Sequence, residues 1–204
     1  MSLKTALENR FGAHRIQTIQ NPLHPEQTLY QLYLEMQVPI TVVMTSTLSA
    51  YEMPVSEKWK GREFNELFVC LPSYWDLEDL TNPNFNWVYE WLFKLERFVL
   101  DKQSWFGPGH TIPCGNPPEA ISTLLQQEYF IFIDPIFLQE GLKPLKTDGK
   151  TIHFLAVVPI FGDELDYKMG KGTHKFVRRF IQRKNDERID DFRKSVLSSR
   201  LRFF

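Results

Sequence analysis

The sequence predicts a single α+β domain: a central, mostly antiparallel or mixed sheet with helices packed on it. Three observations carry that expectation. Short apolar or alternating runs of strand length recur along the chain, one long segment in their midst has helical periodicity, and no Gly-, Pro- or Ser-rich linker divides it into halves. A chain of 204 residues with 43% hydrophobic content is long enough to bury a sizeable core.

Residues 3–11 space Leu3, Ala6, Leu7 and Phe11 as a short amphipathic helix, expected to cap a sheet edge. Residues 14–19 and 28–36 read as strands joined by a turn at Asn21-Pro22 and Pro25. The β-branched run 40–44 is a third strand, and the polar stretch 45–61 a loop. Residues 64–71 are nearly continuously apolar after Glu66, the mark of a strand covered on both faces, and Pro72 stops it. Residues 87–102 are the clearest helix: Val88, Trp91, Leu92, Leu95, Phe98 and Val99 trace one face, Glu90, Lys94, Arg97 and Asp101 the other. An ordered Gly/Pro loop over 104–113 follows, then a short helix expected from Pro118 to Gln126. Strands are expected at 129–133 and 151–160, the second preceded by the hairpin turn Thr147-Asp148-Gly149-Lys150. Two helices, 163–169 and 173–183, flank Gly170-Lys171-Gly172.

Net charge is −1, from 24 Lys and Arg against 25 Asp and Glu, which by itself selects no charged partner. Its distribution says more. Residues 175–204 hold ten basic and four acidic side chains, +6, whereas the first 174 hold 14 and 21, −7. The opening residues lack the apolar stretch of a signal peptide, and the longest uncharged segment, 36–51, is too short and polar to span a membrane. Two cysteines, Cys70 and Cys114, make neither a disulfide framework nor a CxxC motif. The expected setting is a reducing cytoplasm.

Motifs for chemistry are sparse. Asp163-Glu164 could divide acid and base roles, with His110 as a helper in a hydrolase, but acids in a first helical turn are favoured by the helix dipole, and Glu164 can pair with Lys168. His110 and Cys114 are too few for a metal site, Cys70 lies inside an apolar strand, and no phosphate-binding glycine loop is present. Trp75, Trp87, Trp91 and Trp105 read chiefly as core. The basic end could hold nucleic acid, yet Asp186, Glu187, Asp190 and Asp191 interrupt it and no nucleic-acid module accompanies it, so a segment docked on the acidic body is favoured.

Four segments in order resemble one family: Asn65-Glu66-Leu67 running to Leu71-Pro72 with Trp75 after it; Trp87 to Phe98; Gly109-His110-Thr111-Ile112; and Phe154 to Ile160 followed by Glu164-Leu165 and Gly170. Together they resemble a bacterial member of the suppressor-of-fused (SUFU-like) domain family. The resemblance divides the chain into an N-terminal helix and strands of the same domain (1–39), a SUFU-like core (40–183) and a basic C-terminal segment (184–204). It implies an α+β domain without known catalysis, cofactor or metal. In animals the family sequesters transcription factors, the partner peptide adding as a strand, while bacterial relatives are proposed as immunity proteins that neutralise toxins. The resemblance thus implies a protein partner, here a basic toxin domain suited to the acidic body. Its polar motif residues Glu66, Trp75, His110, Thr111 and Glu164 are expected to be architectural or partner-binding.

Overall fold

The computed structural model describes residues 1–79 and 82–198, so Arg200 and Arg202 of the basic end lie outside the described residues. The elements are α1 (Leu3–Phe11), β1 (Ile16–Gln20), β2 (Thr28–Leu34), β3 (Ile40–Thr45), β4 (Phe64–Pro72), α2 (Pro83–Asp101), β5 (Thr111–Pro113), β6 (Tyr129–Ile133), β7 (Leu145–Thr147), β8 (Lys150–Ile160), α3 (Gly162–Lys171) and α4 (Thr173–Gln182). They form one mixed sheet in the order β1-β2-β3-β4-β8-β6-β5, with β7 paired to β8 off that path. Every pairing is antiparallel except β4 with β8.

The period-2 alternation of the strands sorts the core into two faces. Leu29, Val43, Leu67, Val69, Phe130 and Leu155 point to the face covered by α2, which buries Val88, Leu92, Leu95 and Val99 there. Met44, Phe68, Ile131, Phe154 and Val158 point to the other face, covered by α1 and by Phe176 and Phe180 of α4. Burying such a side chain stabilises by roughly 1.5–3 kcal/mol, so trimming Leu92 to Ala in the middle of α2 would cost about 2–5 kcal/mol. Helix α1 therefore lies on a sheet face, with Leu3, Ala6 and Leu7 in that core, and does not close an edge as expected.

Other departures have local causes. Helix α2 begins at Pro83, four residues early, because Asn82 caps it by accepting the Asn84 amide and Pro83 occupies the first turn. No helix forms over 118–126. Pro117 and Pro118 have no amide to donate there, the Glu119 and Ile121 amides go to the Cys114 and Gln127 carbonyls, and Ser122 Oγ accepts the Leu124 and Leu125 amides at 3.2 Å. Residues 13–15 form a single 3₁₀ turn before β1. The β7–β8 hairpin follows its turn signal, with φ +47° at Asp148 and +79° at Gly149, the left-handed pair that a two-residue turn requires.

Beyond Phe68 and Ala156, β4 and β8 stop pairing with each other, although β4 runs on to Pro72 and β8 to Ile160. The C-terminal segment enters this fork. Arg188 bridges Cys70 in parallel, and the Ile189 amide donates to the Cys70 carbonyl at 2.8 Å. Ile189 and Val196 are buried.

Candidate functional site

The five polar motif residues do not converge on one pocket; each is tied into its own part of the fold. Glu66, in the middle of β4, is fully buried and accepts the Thr45 hydroxyl and the Ser49 amide, the latter at 2.9 Å. Glu96 lies across the same stretch. Also buried, it accepts the Thr47 hydroxyl and the Gln27 side-chain amide, the latter at 2.8 Å. The two carboxyls thus pin residues 45–49 from two sides. Loss of hydration raises both pKa values, that of Glu66 to about 7, with Glu96 adding a small repulsion.

Trp75 is buried against Phe85 and Trp87, and its indole N–H donates to Asp191 Oδ2 at 3.2 Å, as the Tyr74 hydroxyl does at 3.3 Å. His110 leads into β5. Its ring meets Trp105 edge-on with centroids 4.5 Å apart, and its Nδ1 accepts the Gly107 amide at 3.3 Å. Burial pushes its pKa below the usual imidazole value, so it is neutral at pH 7. Gly109 just before it has φ +89°, and a Cβ there would lie 2.6 Å from Thr173 Oγ1, so glycine is what lets this loop touch the start of α4. Thr111 opens β5 and pairs with Ile131.

Glu164 is fully buried at the first turn of α3. Arg193 Nη1 and Nη2 donate to its two oxygens at 2.6 and 2.8 Å, the Val196 amide at 2.8 Å and the Phe161 amide at 3.0 Å. The expected Glu164–Lys168 pair is therefore replaced by one that ties the C-terminal segment down. The hydrolase alternative meets the same obstacle. Asp163 accepts the Ser195 hydroxyl at 2.7 Å, both Glu164 oxygens are engaged, and among the described residues neither carboxylate bonds to His110. Glu187 completes the anchorage, its buried carboxylate accepting the Ile136, Phe137 and Leu138 amides at 3.0, 2.8 and 2.7 Å. Neither Glu187 nor Arg193 had a sequence signal, since each is one charge within a charged run. Glu96 had one: it sits on the apolar stripe of α2, four residues after Leu92.

Three strands leave an edge without a strand partner among the described residues, β1, β5 and β7, and β7 is only three residues long, Leu145–Thr147. β5 is three residues long and ends in Pro113, both of which blunt an edge. β1 is five residues long, Ile-Gln-Thr-Ile-Gln, with neither charge nor proline, and pairs only with β2. It is the longest of the three and the most receptive to an added strand. No helix is long and apolar enough to cross a membrane.

Comparison with known proteins agrees with this architecture. No curated protein matches the sequence significantly. Among solved structures, a protein described as a suppressor of fused homologue from Neisseria gonorrhoeae FA 1090 superposes with a TM-score of 0.69 at 16% identity, over 96% of this chain and 95% of that one. Drosophila Suppressor of Fused gives a TM-score of 0.67 at 16% identity, over 96% of this chain and 50% of its own. A chain in a Sufu–Fu complex gives a TM-score of 0.66 at 16% identity, over 95% of this chain and 90% of that one. At such identities the likeness establishes the fold. The family model for suppressor of fused protein matches residues 30–194, most of the sequence, and on that match the chain belongs to the suppressor of fused (SUFU) family.

Proposed function

We propose that this chain is a non-enzymatic, cytoplasmic protein-binding domain, an immunity protein whose basic toxin partner adds as a strand along β1. The observation that carries the reading is the open, five-residue, uncharged edge of β1. The charge of −7 over the first 174 residues supports a basic partner, because complementary fields speed encounter and suppress wrong partners. A related domain in a Sufu–Fu complex gives the family a protein-binding precedent. Nucleic acid is disfavoured as a partner: Arg193 is spent on Glu164 and Arg188 on Asp186, at 2.6 and 2.7 Å, so the basic end offers fewer free cations than its composition promised.

Co-expression with the toxin-like product of a neighbouring gene tests this. The expected result is a soluble complex and rescued growth, both lost when Gln17 and Thr18 are replaced by Lys while the melting temperature holds. No complex and no protection with the wild-type chain would end the proposal.

A further inference from the structure

Exposed apolar side chains gather at one end of the sheet. Of twelve large hydrophobics exposed among the described residues, five are Tyr33 (45%), Met36 (43%), Val38 (56%), Tyr74 (67%) and Phe192 (85%). They come from the end of β2 and the β2–β3 turn, from the residues after β4 and from the C-terminal segment. Asp191, next to Phe192, is bonded to both Tyr74 and Trp75, which joins the C-terminal segment to the residues after β4. Two grooves share Ile40 as a common wall: one of about 360 Å³ floored by Tyr33, Pro39, Trp75 and Leu77, the other of about 270 Å³ bounded by Val38, Pro72, Tyr74 and Ile189. Each has room for one large side chain.

Their charges differ. The charged side chains lining the first groove are Glu35, Asp76 and Glu78, and among the described residues only Glu35 has a cation, Arg15 at 2.8 Å. The second is balanced, with Lys184 and Arg188 facing Asp186 and Asp190. An apolar floor under uncompensated carboxylates selects an apolar anchor flanked by Lys or Arg; the adjoining neutral groove selects a second apolar anchor.

We propose that these paired grooves are a docking site for a basic segment of a protein partner, which seats two apolar side chains and sets its Lys or Arg residues against Asp76 and Glu78. The inference rests on the partner-binding reading and adds a second contact, distinct from the β1 edge. A fluorescein-labelled peptide of lysines and arginines carrying two phenylalanines three apart is titrated by anisotropy against the full chain. Two variants remove different halves of the site: Asp76→Asn with Glu78→Gln in the first groove, and Val38→Ser with Tyr74→Ser in the second. Both pairs are exposed, so the fold survives. Each should weaken binding by about tenfold or more, whereas Glu140→Lys, away from the grooves, leaves it unchanged. Failure of the peptide to bind, or equal binding to all variants, overturns the proposal. So does self-association of the wild-type chain that the variants abolish, which would assign the surface to a second copy. A toxin partner retained undiminished by both groove variants but lost on changing β1 would leave the strand-addition reading standing and this one refuted.

Discussion

Replacing Glu66 by Gln should make the protein's stability less dependent on pH, by an amount the structure sets. The folded-state pKa of about 7 stands well above the ordinary glutamate value of 4.5, because the carboxyl is stripped of water with no cation beside it. Between those values the folded protein holds a proton that the unfolded chain has already released. Stability is therefore fully present below pH 4.5, falls as the pH rises, and levels off above 7. At about 1.4 kcal/mol per pKa unit the full loss is about 3 kcal/mol, of which about 2–3 kcal/mol falls between pH 5 and 8. Gln keeps the shape, its carbonyl can still accept the Ser49 amide, and its NH₂ can donate to Thr45 Oγ1. The assay is urea unfolding of both proteins at several pH values, followed as the difference between them, which cancels the titration of groups uncoupled from Glu66, such as His110. The variant should match the wild type near pH 5 and gain steadily up to pH 8. A constant difference across that range would refute the assignment of Glu66 as a buried, proton-holding carboxyl.

Other expectations follow from the same geometry. Arg193→Met leaves Glu164 buried without its cation and should cost about 3–5 kcal/mol, while Arg193→Met with Glu164→Gln should recover part of it in thermal melts. Gly109→Ala should destabilise clearly more than Gly149→Ala: both have positive φ, but the added Cβ meets Thr173 at 2.6 Å in the first case and nothing in the second, where about 1–2 kcal/mol of backbone strain is the whole effect. Cys70 and Cys114 are buried and burial raises both thiols, so neither should react with a thiol-specific reagent until the protein is unfolded; native-state labelling of either would contradict the structure.

What the sequence revealed and what it hid divide along range of interaction. Strands such as β3, β4 and β6 were legible because alternation or a continuous apolar run records which faces are buried. The Asp148-Gly149 turn was legible because its backbone demands those residue types. Residues 118–126 misled because local bonds compete with a helix there: the Glu119 and Ile121 amides go to Cys114 and Gln127, and Ser122 Oγ takes those of Leu124 and Leu125. The charge pattern of the last thirty residues suggested a segment docked on the body and did not show which side chains hold it there. Glu187 caps three amides about fifty positions away and Arg193 is drawn into a buried pair, so individual charges within the run are the anchors. The same holds for Glu66, whose family-motif position was evident while the hydroxyl and amide that hold it were not.

The fork between β4 and β8 has a bearing on how the protein is made. Its gap opens in the middle of the sheet, yet the residues that fill it, 187–189, are synthesised more than a hundred positions after Cys70. A nascent chain stalled or cleaved before that point would hold all eight strands but leave the Cys70 carbonyl and the surrounding apolar side chains uncovered. Such a fragment presents an internal edge of the kind that templates aggregation. The arrival of this short segment is thus a late checkpoint, after which a complete chain differs from a broken one in solubility as well as stability.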